Sequence, residues 1–243
     1  MIVTALIRYT FPRPRSLHLA PRFSEKVNRT PPLPRPFWHP LPANFRVLFR
    51  EFEGTPVAVW IFASQQQRDH QLALLKCSPC PHCKHSGALN RHGYLKGYDE
   101  QNFKHRVVRA LRVFCSNRGS ADGCGRTFSV WVADKVKRLF LDAQSLWQFL
   151  EQAATTGNRF QAFQTLGCSL SDSATYRIWK RFLMAQSTIR TKLAALCPPP
   201  KQPPGNLPQT PAQATIEHLK EAFKDSTLNP IAAYQAHTQS FLI

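Results

Sequence analysis

The chain has 243 residues, of which 43% are hydrophobic, and its 32 Lys and Arg against 14 Asp and Glu give a formal net charge of +18. This length allows one large domain or two small ones with a packed core. The longest apolar run, residues 57–63, is too short to cross a bilayer, and no charged start precedes a long apolar stretch. We therefore expect no signal peptide and no membrane partner. The charge favours a polyanionic partner. Seven cysteines, four of them in turns typical of metal ligands, fit the reducing cytoplasm better than disulfides do.

Two parts of the chain carry most of the positive charge. Residues 1–50 have nine basic side chains and one acidic side chain, and residues 76–138 have thirteen and four. Residues 1–42 also hold nine of the twenty prolines, which block helices and interior strands. We interpret residues 1–43 as an extended or disordered basic arm, which either lies along phosphates or has no role.

Residues 44–76 predict a small packing element made of a hairpin and a helix. Aromatic and β-branched residues recur at every second position over residues 45–49 and 57–61, on either side of a turn at 53–56. This pattern is typical of a β-hairpin. Residues 64–76 are expected to form a short helix.

Three closely spaced cysteines, Cys77, Cys80 and Cys83, offer two registers for a first pair of metal ligands. Sulfur ligands in such turns accept hydrogen bonds from backbone N–H groups just downstream. If Cys77 were the first ligand, that donor would fall on Pro79, which has no N–H. We therefore predict that Cys80 and Cys83 are the first pair.

The second predicted pair is Cys115 and Cys124, which are separated by eight loop-forming residues instead of the usual two to four. Four thiolates from two turns can close a tetrahedron around one structural zinc ion. We predict an antiparallel zinc ribbon over residues 77–132. His82 or His85 in place of one thiolate, a rubredoxin-like iron site and four free thiols are the alternatives.

The 31 residues between the two cysteine pairs are basic and strand-like in sequence. Strands are predicted from Ala88 to Tyr94 and from Phe103 to Phe114, with Gly97 in the turn region between them. Arginine at every third position of the second strand does not keep to one face unless a β-bulge intervenes. The predicted nucleic-acid contacts of the ribbon are Arg91, Lys96, Arg106, Arg109, Arg112 and Arg126.

Residues 139–196 have the periodicity of three helices. Each helix is predicted to begin at a polar cap and the first two to end at a glycine: Asp142 and Gly157, Asn158 and Gly167, and Ser171 or Asp172 for the third. The third helix has a continuous apolar face: Ile178, Phe182, Ala185, Ile189, Leu193 and Leu196.

This order of helices is that of a helix-turn-helix, in which the start of the third helix enters the major groove of DNA. The predicted contacts there lie off the apolar face: Ser173, Tyr176, Arg177 and Lys180. An ordinary three-helix bundle with a solvated polar face is the alternative. Residues 197–211 contain seven prolines and predict a linker, and residues 212–243 are expected to form a C-terminal helix and a tail of unassigned role.

Several of these segments together resemble a known family. The segments are Cys80-Pro-His-Cys83, Arg91-His-Gly-Tyr94, the arginine-rich strand into Val113-Phe-Cys115, and Cys124-Gly-Arg-Thr-Phe128. They resemble the N-terminal zinc ribbon of bacterial insertion-sequence transposases and related mobile-element proteins, in which a helix-turn-helix commonly follows. The resemblance covers roughly residues 77–190. It implies DNA as a partner and a transposase or another mobile-element protein as a second partner, although the wide second cysteine pair departs from the family pattern.

The expected fold class is α+β, with a small zinc ribbon followed by a helix-turn-helix-like domain. A two-metal strand-transfer site needs convergent carboxylates, whereas Asp142, Glu151 and Asp172 fall at helix caps or on helix faces. We therefore expect a zinc-dependent, nucleoid-associated protein that binds double-stranded DNA and has no catalytic domain of its own.

Two other functions stay open. The first is a protein–protein adaptor that docks through the ribbon and the C-terminal helix, with Phe223 at the contact. The second is a ribbon that binds single-stranded nucleic acid or RNA. Aromatic residues among basic ones, such as Tyr94, Tyr98 and Phe103, permit base stacking.

Overall fold

The computed structural model describes residues 58–99, 102, 104–119, 121–166, 171–201 and 209–243. All of them belong to one compact unit, Phe52–Ile243. The fold is α+β, as predicted, with a four-stranded sheet and six helices among these residues. The predicted basic arm and the first strand of the predicted hairpin lie outside the described residues.

The sheet has the strand order β1-β4-β3-β2. Its strands are β1 (Val59–Phe62), β2 (Leu89–Tyr98), β3 (Arg106–Cys115) and β4 (Thr127–Val132). The β2–β3 and β3–β4 pairs are antiparallel, but β1 pairs with β4 in parallel, so the sheet is mixed rather than purely antiparallel. The strand predicted at residues 57–61 is therefore present, and in the described residues its strand partner is β4.

Side chains of each strand alternate between two faces of the sheet. On β4, Phe128 and Val130 lie on the side that we call the cysteine face, together with the four clustered cysteines, whereas Trp131 lies on the opposite side, the helix face. Helix α1 (Gln65–Ala73) begins at Ser64, whose hydroxyl accepts a hydrogen bond from the Gln67 N–H. It packs on the cysteine face and covers only the part near β1 and β4.

Helices α2 (Ala143–Thr156), α3 (Arg159–Gln164) and α4 (Asp172–Ala194) match the three predicted helices. A carboxylate oxygen of Asp142 accepts from the Ser145 N–H at 2.7 Å, and the side chain of Asn158 accepts from the Gln161 N–H at 3.1 Å. Gly157 ends α2 with φ of 66°, in the left-handed region that favours glycine. The predicted end of α3, at residue 167, lies outside the described residues.

The predicted apolar face of α4 is largely confirmed. Ile178, Phe182, Ile189 and Leu193 are buried, and Ala185 packs against the same core as a half-buried residue. On the turn of α4 that contains Ala185, the buried residue is Gln186. Leu196 lies past the end of the helix, with 39% of its surface exposed. The prediction of Leu196 as part of the buried face is therefore wrong.

The C-terminal residues form two helices, α5 (Pro211–Ala222) and α6 (Pro230–Thr238), where one helix and an unassigned tail were predicted. Both helices contact α2, and Tyr234 of α6 is among the largest fully buried side chains. The C-terminal segment thus belongs to the common core. No helix in the described ranges has the length and apolar character needed to span a membrane.

Candidate metal centre and basic surface

The Sγ atoms of the four predicted ligands lie within 4.8 Å of one another. Those of Cys80 and Cys124 are 3.9 Å apart, and those of Cys83 and Cys115 are 3.7 Å apart. Tetrahedral zinc–sulfur bonds of about 2.3 Å place the sulfur atoms about 3.8 Å apart. The four cysteines can therefore hold one tetrahedral metal ion. The cluster consists of the two predicted pairs, and Cys77 is exposed and lies outside it.

Two turns with matching hydrogen bonds hold these cysteines. In the first, the Cys80 N–H donates to the His85 carbonyl and the Lys84 N–H donates to the Cys80 carbonyl, both at 2.9 Å. In the second, Cys115 takes the place of Cys80: its N–H donates to the Arg126 carbonyl and its carbonyl accepts from the Gly125 N–H, both at 2.9 Å.

The residue after the second cysteine of each turn has a positive φ. The angle is 64° at Lys84 and 70° at Gly125. Only the glycine was visible as a signal in the sequence, because non-glycine residues rarely adopt this conformation. The role of Lys84 in shaping the first turn was therefore missed.

The eight residues between Cys115 and Cys124 leave the second turn as a separate loop. The Gly123 N–H donates to the Ser116 carbonyl at 2.9 Å and closes the loop at its base. A Cβ atom at Gly123 would lie 2.1 Å from that carbonyl oxygen and 2.7 Å from the Cys115 Sγ. A glycine is therefore required where the loop rejoins the turn, and the wide spacing leaves the metal-binding geometry intact.

Burial raises the pKa of the cysteine thiols, and hydrogen bonds from backbone N–H groups lower it. Cys80 and Cys115 are completely buried, which raises the pKa of Cys80 and raises the pKa of Cys115 to about 12 when no cation lies among them. The His85 N–H lowers the pKa of the Cys83 thiol to about 7. The His82 and Cys124 N–H groups donate to Cys80 and Cys115 at 3.4 and 3.3 Å. Such donors orient sulfur ligands around an ion.

The neighbouring histidines do not join this cluster of four sulfurs. His85 is exposed. The ring of His82 packs edge-on against Phe128 with centroids 6.4 Å apart, and burial together with the charge of Arg126 lowers the pKa of His82. The ring of Phe128 in turn packs edge-on against that of Trp60, with centroids 4.7 Å apart. These aromatic rings shield one side of the cysteines, as predicted for Phe128; the contribution of Trp60 was not predicted.

Arg109 is buried instead of lying on the surface where a nucleic-acid contact was predicted. Residues Leu95 and Lys96 pair with Ala110 and Val108, so Arg109 is the extra residue of a β-bulge. Its guanidinium donates to the carbonyls of Phe140 at 2.8 Å, Leu141 at 3.2 Å and Tyr98 at 3.3 Å. Arg109 therefore links the sheet to the segment before α2.

A second error concerns Gly97, which was predicted in the turn but lies in β2, opposite Val107. A Cβ atom at Gly97 would be 2.8 Å from the Arg109 Cγ. Because Gly97 has no Cβ atom, the aliphatic part of the Arg109 side chain can pass over β2 at this position. The actual turn lies between Asp99 and His105, where the Asp99 N–H donates to the His105 carbonyl at 3.0 Å.

The other nine predicted contact residues are exposed. Five lie on or beside the sheet: Arg91, Lys96, Arg106, Arg112 and Arg126. Four lie near the start of α4: Ser173, Tyr176, Arg177 and Lys180. None of them takes part in the ion pairs observed among the described residues.

The start of α4 is held by Arg159 of α3. The Arg159 guanidinium lies 3.4 Å from the Asp172 carboxylate and 5.2 Å from the centre of the Tyr176 ring. Asp142 caps α2, and Glu151 pairs with Lys220 at 2.9 Å. Each of the three carboxylates considered for catalysis therefore contacts a structural partner.

No family model, curated protein or solved structure matches this chain in comparisons with known proteins.

Proposed function

We propose that this chain is a zinc-dependent protein that binds double-stranded DNA, of a transposase-like or transposition-associated kind without its own catalytic domain. One observation carries the proposal: four thiols positioned for a single tetrahedral ion lie beside a surface of exposed cations that have no acidic partner among the described ion pairs. The metal would brace the turns, and the cations would meet phosphate groups.

Zinc is the ion we propose because four thiolates leave no coordination position for water or substrate, which is typical of structural zinc sites. The Cys80–Cys83 and Cys115–Cys124 pairs would then form a zinc ribbon with β2, β3 and β4. Iron is the competing ion, since the two turns have the matching hydrogen bonds that a rubredoxin-like site prefers. Metal analysis combined with visible absorption separates the two, because an iron–thiolate site is coloured and a zinc site is colourless.

The charge of the sheet supports a polyanionic partner. Residues 89–115 carry six Lys and Arg against two Asp and Glu. Arg91 on β2 and Arg106 and Arg112 on β3 are exposed to solvent there. Neutralising phosphates with such side chains releases counterions, so affinity for DNA would fall steeply with salt concentration.

The start of α4 supports major-groove contact. Asp172 and Tyr176 are engaged by Arg159, whereas Arg177 and Lys180 are exposed on the next turn. In a helix-turn-helix, side chains at this position reach base edges and phosphates. In the proposed complex, Arg177 reads bases and Lys180 contacts the DNA backbone.

The adaptor alternative is less well supported. Its predicted contact, Phe223, is half-buried against the common core, with its ring 6.2 Å from that of His237. Helix α5 also packs on α2, α4 and α6. The side of the C-terminal helix that the adaptor would need is therefore occupied within the chain.

Fluorescence anisotropy with a pool of labelled duplexes tests the proposal. We expect binding of the metal-loaded full chain to weaken by orders of magnitude between about 50 mM and about 200 mM salt, with a slope of roughly 0.9 per phosphate contacted. The double variant Arg177→Ala/Lys180→Ala should bind at least about tenfold more weakly. Lys224→Ala, which removes an exposed lysine of the C-terminal region, is the control and should bind as wild type. Salt-independent binding, or a double variant that behaves like the control, would contradict the proposal.

A further inference from the structure

Part of the cysteine face of the sheet is not covered by any of the residues that the structure describes. The apolar residues of α1 and the cysteine turns cover β1, β4 and the adjacent end of β3. The far ends of β2 and β3 extend beyond this cover. The exposed residues there, which we call the tyrosine face, are Tyr94, Lys96, Tyr98, Arg106 and Val108.

The register of β2 and β3 brings these five side chains together. Lys96 lies opposite Val108 and Tyr98 opposite Arg106, while Tyr94 lies opposite Leu111 of the cysteine face. Directly opposed residues of an antiparallel pair project on the same side of the sheet. Arg109 is the extra residue of the bulge, and its side chain is buried on the helix face. Val108 and Arg106 therefore lie on the cysteine face, on the same side as Lys96 and Tyr98.

The tyrosine face has the two components of a single-strand binding surface. Tyr94 is 64% exposed, Tyr98 51% and Val108 48%, so the rings have open surfaces. Lys96 lies between the tyrosines, about 7 Å along the strand from each. Arg106 lies beyond, with its guanidinium 5.5 Å from the centre of the Tyr98 ring. No acidic residue belongs to the face.

We propose that the tyrosine face binds single-stranded nucleic acid by stacking unpaired bases on Tyr94 and Tyr98 while Lys96 and Arg106 contact phosphates. Aromatic side chains on an open sheet with interleaved cations are a recurring way to hold single strands, because every base has a stacking surface. A duplex cannot use the two rings in this way, since its bases are already stacked inside. This inference rests on the proposed nucleic-acid function and adds a second class of ligand at a second surface.

The test uses the metal-loaded full chain and three labelled probes: a short oligo-dT, an oligo-U of equal length and a blunt duplex. Anisotropy titrations are repeated with Tyr94→Leu/Tyr98→Leu, which removes the rings, and with Tyr94→Phe/Tyr98→Phe, which keeps them. Phe160→Leu is the matched control, since Phe160 is 53% exposed but lies on α3. Comparing the two single strands shows whether the sugar matters.

We expect the leucine double variant to bind one or both single strands at least about tenfold more weakly and the duplex within about twofold of wild type. Tyr94→Phe/Tyr98→Phe and Phe160→Leu should keep single-strand binding within about twofold of wild type. If wild type binds the duplex but no single strand, or the leucine pair binds single strands normally, the inference is wrong and the proposed function stands. If wild type binds none of the probes, the proposed function fails as well.

A second measurement does not depend on how the variants fold. A 4-thiouridine oligonucleotide is photocrosslinked to wild-type protein, and the attached peptides are identified by mass spectrometry. Crosslinks within β2, Leu89–Tyr98, are the expected result. Crosslinks confined to α4 or to the C-terminal helices would overturn the inference.

Discussion

The side-chain amide of Gln239 forms two hydrogen bonds with the backbone of Ile61. Its Oε1 accepts from the Ile61 N–H at 2.9 Å, and its Nε2 donates to the Ile61 carbonyl at 2.7 Å. Among the described residues, Ile61 lies on an edge strand of the sheet, β1, whose other side pairs with β4. The glutamine thus satisfies the hydrogen-bonding groups of one residue of this strand and ties the C-terminal segment to the sheet.

Replacing Gln239 should separate this contact from backbone strain. Its φ of 50° lies in the left-handed region, so the wild-type backbone is already strained there. Gln239→Ala removes the amide and keeps this strain, whereas Gln239→Gly removes the amide and relieves the strain. We expect urea unfolding to show a loss of about 2 kcal/mol for alanine and somewhat less for glycine. Gln148→Ala, at an exposed position of α2, should change stability by less than about 0.5 kcal/mol. An alanine variant as stable as wild type would show that the amide contributes nothing.

The features predictable from the sequence are local ones. A cap such as Asp142, a glycine such as Gly157 and the spacing of Cys80 and Cys83 act over a few residues, and the structure contains all three features. The paired thiols of Cys115 and Cys124 were predictable because only loop-forming residues separate them. Chemistry within a short stretch of chain therefore determines these features.

The features that were missed depend on contacts between distant residues. Arg109 was assigned to the surface because its pattern could not reveal the bulge or the carbonyls of Phe140 and Leu141 that accept its hydrogen bonds. The C-terminal segment carried no periodic signal strong enough to predict α6. Its position depends on Gln235, which donates to the Ala133 carbonyl, and on Gln239, more than one hundred residues from their partners.

Arg109 and Arg112 provide a paired test of burial against exposure. Arg109→Ala removes a buried guanidinium that donates to three carbonyls, so it should lower the free energy of unfolding by about 2–4 kcal/mol. Arg109→Lys should recover only part of this, because one ammonium group cannot reproduce the planar fork. Arg112→Ala, at the surface, should leave stability within about 0.5 kcal/mol of wild type and weaken duplex binding. If chemical denaturation showed equal stability for the two alanine variants, Arg109 would not be the buried structural residue described above.

The four-cysteine cluster predicts a selective effect of cysteine substitution. Cys115→Ser should reduce bound metal from one ion per chain to nearly none and lower the thermal midpoint, since metal binding and folding are coupled. Cys77→Ser, on the same segment but exposed and outside the cluster, is the control and should keep both. Elemental analysis after dialysis, with thermal unfolding followed by circular dichroism, measures the two quantities. Loss of metal in both variants would show that Cys77 is a ligand.

Gly123 should tolerate alanine far less well than Gly119, which is in the same loop. At Gly123 a methyl group would meet the Ser116 carbonyl and the Cys115 Sγ, whereas at Gly119, with φ of 64°, nothing lies within 4 Å. Gly119→Ala should therefore cost about 1–2 kcal/mol from backbone conformation alone. Gly123→Ala should also disturb a metal ligand, so we expect weaker metal retention against a chelator in addition to lower stability. Identical metal retention in the two variants would argue against the closed base of this loop.

Tyr234 predicts how stability changes at alkaline pH. Burial raises its pKa to about 12, above the ordinary tyrosine value of 10.0. A folded-state pKa above the unfolded value means that its contribution is complete below about pH 10 and is lost as pH rises towards 12. A shift of two units corresponds to about 2–3 kcal/mol.

Tyr234→Phe keeps the ring and removes the ionisation, so the stability difference between wild type and the variant should shrink or reverse over this pH range. Tyr94→Phe, at a 64% exposed position, is the control. Denaturant unfolding at several pH values measures the difference, and a Tyr234→Phe curve parallel to wild type from pH 9 to 12 would show that the hydroxyl is not held protonated in the core.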